Sequence, residues 1–414
     1  SAPKIHFSTD RPINNLHNAT TSMIHPSVLA DEFSQRWERI RKSMLQQGAD
    51  AMLVTDNVNL YYVSGRVFSG YCYLPADREP LFFVRRPVGL DGDNIVYIRK
   101  PEEIGDYLRE QGLPFPQTLM LENDSITHNE FLRYEAIFKP ATIKNGTAVL
   151  RSVRSIKTPY EIGQIRRSGI LHAEVYAKIP SLYKKGMTDL DLSVEIERES
   201  RLLGSLGIFR IFGQSMEIFM GSVIAGDNAD NPSPYDFAMG GAGLDDSLPV
   251  GCNGTMLEER MSVMVDLGGN FTGYMTDMTR TFAIGDLQEL AYKAHETSIE
   301  IQRSIAEAAR PGVPAKDLYN MAIEIAQEAS LGDYFMGHRQ KAGFIGHGIG
   351  IEINESPVLA PRSRDILAEG MVFALEPKFV IPETGAVGIE NTFAVTADGI
   401  EKLTLCEEQI LPLG

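Results

Sequence analysis

Asp266 and Asp277 lie eleven residues apart in a segment built to place them together. Val263 and Val265 alternate with Ser262, Met264 and Asp266, the period of two that marks a half-buried strand. Gly268-Gly269-Asn270 supplies turn residues, and a second β-rich run returns from Tyr274 to Phe282. A hairpin of this kind carries both carboxylates on one sheet face, where two like charges are costly unless a proton or a cation lies between them. Further candidate ligands follow downstream. His347 stands in a glycine-rich turn, Phe344-Ile-Gly-His-Gly-Ile-Gly-Ile-Glu352, that lets backbone come close to a site. Glu376 closes the strand-like run Met371-Val-Phe-Ala-Leu-Glu376 and is stopped by Pro377, while Glu390 sits in the run Val387–Val395. A lone strand-end aspartate usually caps a turn, and a lone histidine in a glycine loop is usually structural. The ordered set of five is another matter: one imidazole and four carboxylates suit two Mn, Fe, Co or Zn ions bridged by water.

The elements that must position these groups read as two domains, residues 1–155 and 156–414. Residues 1–30 are polar and irregular. A helical stripe of Phe33, Trp37, Ile40 and Met44 runs from Leu29 to Gln47 and stops at Gly48. Strands follow at Ala51–Thr55, Leu81–Val84 and Asn94–Ile98, with a short helix at Glu102–Glu110, an alternation that argues for a small α/β domain. The second domain opens on Thr158-Pro-Tyr-Glu161, a capping box with proline at the first helical position. Thr188-Asp-Leu-Asp191 is a second helix start, and helices are expected at Leu287–Ala309 and Ala315–Glu328. The remainder is strand-rich and carries the candidate ligands.

Composition narrows the function classes. At 414 residues the chain exceeds one ordinary core. The net charge of −16, without a long basic run, argues against nucleic acid as a partner. No apolar run approaches a membrane span, and the N-terminus lacks a signal-peptide apolar stretch. Cys72, Cys252 and Cys406 are scattered without metal spacing, which fits a reducing cytosol. A cytoplasmic protein is therefore expected.

The motifs Val265-Asp-Leu-Gly268, Asp277-Met-Thr-Arg-Thr-Phe282, Gly346-His-Gly-Ile-Gly350, Glu376-Pro377 and Ile389-Glu-Asn-Thr392 resemble the creatinase/methionine-aminopeptidase group of dinuclear metallopeptidases. The resemblance is strong over residues 156–414. It is weaker over the N-terminal part, where Asn59-Leu-Tyr-Tyr-Val-Ser-Gly65 is similar to a stretch of the creatinase/prolidase N-terminal domain. It implies an α/β (α+β) chain with a small creatinase-type N-terminal domain and a C-terminal "pita-bread" catalytic domain, nearest to the Xaa-Pro peptidases. It further implies two divalent ions, manganese first with cobalt, zinc or iron as alternatives. Asp277 and Glu390 would bridge the ions, Asp266 would complete one coordination sphere, and His347 with Glu376 the other. A metal-bridging hydroxide would attack an amide carbonyl, with Glu376 as proton shuttle. A homodimer is implied as well, with the aromatic segment Tyr61, Tyr62, Phe68, Tyr71 and Tyr73 either walling the partner's site or filling its own core.

Three auxiliary positions depart from that pattern. Asn354 stands where the peptidases carry a second histidine, and it can donate a hydrogen bond but cannot shuttle a proton. No histidine occurs between residues 173 and 294, so Ser247–Gly251 lacks the expected one. Gly388 replaces an arginine that anchors a substrate carboxylate. Candidate replacements are Tyr235, Asp236 and Phe237 in the loop Gly226–Gly241, and His338 with Arg339. The expected function is a metal-dependent Xaa-Pro aminopeptidase or dipeptidase acting on a small peptide or small amide. A creatinase-like hydrolase or lyase of a non-peptide substrate, and a non-catalytic binding module, are the alternatives.

Overall fold

A computed structural model of the chain describes residues 26–414. The irregular segment expected over residues 1–30 lies, through residue 25, outside the described residues. The described residues divide into two compact units, one ending at Val153 and the other Arg154–Gly414.

The first unit is a six-stranded mixed sheet with helices against it. In spatial order the strands are Ile95–Tyr97, Leu81–Arg86, Ser69–Pro75, Ala51–Val54, Thr118–Leu121 and Thr142–Asn145. The helix Pro26–Gln46 buries the stripe of Phe33, Trp37, Ile40 and Met44, as its apolar spacing requires. Ser69–Pro75 forms a central strand that the alternation of aromatic residues concealed. Tyr62, Phe68, Tyr71 and Tyr73 are all buried in this unit. Tyr71 packs edge-on against Tyr134, and Tyr73 stacks on Phe138. These aromatics build the core of their own domain.

The second unit holds a four-stranded and a five-stranded sheet. The first runs Leu411–Pro412, Met275–Ala283, Ser262–Asn270, Gly221–Ala225, and the other Glu355–Leu359, Gly346–Gly348, Val372–Leu375, Asn391–Val395, Ile400–Lys402. Each is covered by a pair of helices. Pro159–Leu182 and Asp189–Leu202, both opened by capping boxes, pack Val175, Ile179, Leu192 and Ile196 on Val263, Val265, Leu267, Met278 and Phe282. Glu289–Ala308 and Ala315–Glu328 pack on Phe373, Leu375, Phe393 and Val395. Strand alternation then fixes where the aspartates point. The odd residues of Ser262–Asn270 and the even residues of Met275–Ala283 face the first helix pair. Asp266 and Asp277 occupy the opposite face, on the diagonal between the pairs Asp266↔Thr279 and Gly268↔Asp277.

Gly268, Gly269 and Asn270 are not the hairpin turn that their residue types announce. The strand runs through all three, and the chain turns at residues 271–274. The glycines serve close packing. A β-carbon on Gly269 would lie 2.7 Å from the His172 ring and 2.8 Å from Thr276 Oγ1, and one on Gly268 would enter the Phe209 ring. His347 likewise lies in an interior strand, Gly346–Gly348, at a register shift, rather than in a turn.

Gly269→Ala should therefore destabilise the protein by about 1–3 kcal/mol through overpacking, measured by urea unfolding. Unchanged stability would return these glycines to a tolerant turn.

Candidate metal centre

The two sheets of the second unit meet along the ligand-bearing strands. Thr279 and Glu390 exchange backbone hydrogen bonds, and the Thr392 hydroxyl joins both the N–H and the carbonyl of Asp277. This junction brings all five predicted residues together. Oxygen and nitrogen atoms of Asp277, His347 and Glu390 lie within 4.8 Å of one another, and so do those of Asp266, Glu376 and Glu390. His347 Nε2 is 3.2 Å from Glu376 Oε2, 3.6 Å from Asp277 Oδ2 and 3.9 Å from Glu390 Oε1. Its Nδ1 donates to the Gly348 carbonyl at 3.1 Å, which turns Nε2 toward the carboxylates.

Neighbouring groups fix each ligand. The Thr279 hydroxyl donates to Glu390 Oε2 at 2.8 Å. Arg280, buried, donates to the carbonyls of Thr279 and Glu390 and to Asn391 Oδ1. Glu390 Oε1 is buried without a hydrogen-bond partner, a costly condition that a divalent cation between it and His347 Nε2 relieves. By this test the donor set fits a metal ion.

Sequence reading missed one member of the cluster. Lys378 is wholly buried, with Nζ 2.8 Å from Asp266 Oδ2 and 3.0 Å from Glu376 Oε1. Its position two residues after Glu376, at the head of the apolar run Phe379-Val-Ile381, is the one available signal. A lysine beside Glu-Pro ordinarily reads as a solvated end.

The auxiliary positions also resolve. Asn354 lines the cavity beside the cluster, and its amide forms a two-way clamp on Phe212, accepting from the N–H and donating to the carbonyl at 2.7 Å each. Its segment is anchored by buried ion pairs from Arg154 to Glu352 and Glu355 and from Lys157 to Glu355. Gly388 lies opposite Lys378 in a two-stranded ribbon. Its φ is +126°, and a β-carbon would come within 2.6 Å of the Pro377 carbonyl, so no side chain fits there. Asp236 and Phe237 reach the cavity wall. Tyr235 instead stacks on Phe237 and donates to Glu217. His338 and Arg339 bind Asp230 away from the cluster, and Ser247–Gly251 does not line the cavity.

The electrostatics call for a cation. Burial, reinforced by the Glu390 and Asp266 charges, pushes the Asp277 carboxyl well above its ordinary range. Burial raises Asp266 from 3.8 to about 6 against the pull of Lys378, and burial with Glu376 raises Glu390 from 4.5 to about 7. Burial would lower His347, but the Glu376 and Glu390 carboxylates prevail and raise it to about 9. Raised carboxyl pKa values stabilise the metal-free fold at low pH, and that stability is lost as pH rises through about 6 and 7. A bound cation favours the ionised forms and reverses the trend. The stabilisation of melting temperature by Mn²⁺ over EDTA should therefore grow between about pH 5 and pH 8, with proton release on binding. A gain independent of pH would contradict this charge assignment.

Comparison with known proteins places the chain in a family. Residues 163–397 match the model of metallopeptidase family M24, and residues 36–156 that of the creatinase/prolidase N-terminal domain. The Xaa-Pro dipeptidase of Pyrococcus furiosus is 27% identical over 385 residues, spanning 91% of this chain and 99% of its own length. That of Pyrococcus horikoshii is 27% identical over 92% of this chain and all of its own. The solved Xaa-Pro dipeptidase of Bacillus anthracis superposes with a TM-score of 0.76 at 23% identity, covering 92% of this chain and 100% of the other, which shows the shared pita-bread fold. The M24 match spans more than half of the sequence and contains all five clustered residues, so the chain belongs to metallopeptidase family M24 and is a metal-dependent hydrolase.

Proposed function

We propose that this enzyme cleaves the bond between an N-terminal residue and a following proline, in peptides whose C-terminus is extended or blocked. One observation carries the reading: the carboxylate–histidine cluster forms the floor of a cavity of about 480 Å³ whose lining is largely apolar and contains no arginine or lysine. Phe212, Ile218, Phe237, Phe344, Ile353 and Val358 supply surface for a prolyl ring. Asp266, Asp277 and Glu376 are taken up with Lys378, His347 and the ion, so Asp236 is the carboxylate that the lining leaves to face substrate. It favours a substrate ammonium and disfavours a free carboxylate. The Xaa-Pro dipeptidases among the relatives support the proline specificity.

Asp266, Asp277, His347, Glu376 and Glu390 form the proposed metal-binding set, with manganese as the ion assigned first on the oxygen-rich donors. A divalent ion held there supplies a Lewis acid and lowers the pKa of water. The chain's own residues do the rest. Glu376 lines the cavity and takes the proton that water loses on adding to the scissile carbonyl carbon. It returns that proton to the proline nitrogen as the C–N bond breaks. The Asn354 clamp on Phe212 holds the apolar wall in place, a positioning role. The family resemblance supports reading the enzyme as a cytoplasmic homodimer. The three cysteines, all free, fit the compartment.

Assayed with Mn²⁺, an Ala-Pro-Ala amide should be cleaved with a kcat/KM about tenfold or more above that of the Ala-Pro dipeptide, each tenfold being about 1.4 kcal/mol. Equal or faster cleavage of the dipeptide would show that another group anchors its carboxylate. Glu376→Gln should lower kcat by about 10²–10⁴-fold, and full activity in that variant would remove Glu376 from proton transfer.

A further inference from the structure

Lys378 reaches into the cluster from a paired, buried strand. Lys378–Ile381 pairs with Gly385–Gly388, and Lys378 faces Gly388, the position where any side chain would strike the Pro377 carbonyl and the Lys378 backbone. The Met336 N–H donates to the Lys378 carbonyl at 2.8 Å. The side chain itself is 0% exposed.

Its ammonium lies within one of the two ligand groupings. Nζ is 2.8 Å from Asp266, 3.0 Å from Glu376 and 3.7 Å from Glu390, and these three carboxylates form the grouping that does not include His347. A divalent ion bound to those oxygens at about 2.0–2.2 Å would press against Nζ, adding like-charge repulsion to a steric conflict. The other grouping has no ammonium. There the buried Glu390 Oε1 has no hydrogen-bond partner, and His347 Nε2 stands ready beside Asp277 and Glu376.

Two carboxylates divide themselves between these places. Glu376 gives Oε1 to Lys378 and Oε2 to His347. Glu390 turns Oε2 toward Thr279 and Lys378 and Oε1 toward His347. Each is arranged to bridge an ammonium and a second cation.

We propose that Lys378 permanently fills one of the two cation positions of this centre, so that the chain binds a single divalent ion, at Asp277, His347, Glu390 and the near oxygen of Glu376. Asp266 then serves as the counter-ion of Lys378. This inference rests on the metal-binding reading above and departs from a dinuclear centre.

The test is metal stoichiometry. The full chain, stripped with EDTA and returned to saturating Mn²⁺ by equilibrium dialysis, is analysed for bound metal beside Lys378→Ala. One ion per wild-type chain and two per Lys378→Ala chain are expected. Two ions in the wild type overturn the inference and leave the metal reading intact, and so does one ion in both proteins. No bound ion in either overturns both. Electron paramagnetic resonance of the wild type alone decides the matter if the variant does not fold. With unbound Mn²⁺ removed, a spectrum of isolated Mn²⁺ supports the single site, and the multiline spectrum of an exchange-coupled pair refutes it.

Discussion

Four carboxylates crowded into a buried junction cannot all be ionised without positive charge among them, and the rest of the catalytic unit depends on that constraint. Asp277, Glu376 and Glu390 are each below one-tenth exposed, and their mutual repulsion in a poorly solvated site is far larger than it would be in water. Lys378 offsets part of this charge and His347 faces the remainder. A divalent ion held there would be an electrophile at the floor of the cavity, able to act on a carbonyl that water alone leaves inert.

Precision in such a site comes from what lies behind it. Thr279 and Arg280 tie Glu390 to the aspartate hairpin by side-chain and backbone hydrogen bonds, joining two sheets at the one place where their ligands must converge. The Gly348 carbonyl orients the His347 ring through Nδ1. The buried Arg154, Lys157, Glu352 and Glu355 group anchors the segment carrying Asn354. In that group Arg154 and Lys157 outweigh burial and hold the Glu355 carboxyl down at about 2. Breaking such a group leaves uncompensated buried charge, which is the costly outcome. The apolar wall of the cavity is thus fastened on the same side of the molecule as the cluster.

Much of this was legible in the sequence, for identifiable reasons. Asp266, Asp277, His347, Glu376 and Glu390 each sit in a short motif whose residue types and order are unusual together. Helix starts at Thr158 and Thr188 were readable because capping boxes are local. What failed was what depends on distant partners. Gly268 and Gly269 read as a turn, yet they are glycines because Phe209 and His172 approach from elsewhere in the chain. Asn354 differed visibly from the family pattern, but Phe212, 142 residues away, gave no sign of being its partner. Lys378 was passed over because a single lysine carries no mark of burial. Only the folded strands show that Lys378 lies opposite Gly388.

The most direct measurement is anomalous diffraction from crystals of the full chain grown with Mn²⁺. The account predicts a manganese peak between Asp277, His347 and Glu390, about 2.0–2.2 Å from their ligand atoms, with the Lys378 ammonium still paired to Asp266. A cluster that holds no manganese, with its carboxylates turned away from one another, would contradict the claim that cations hold this junction together.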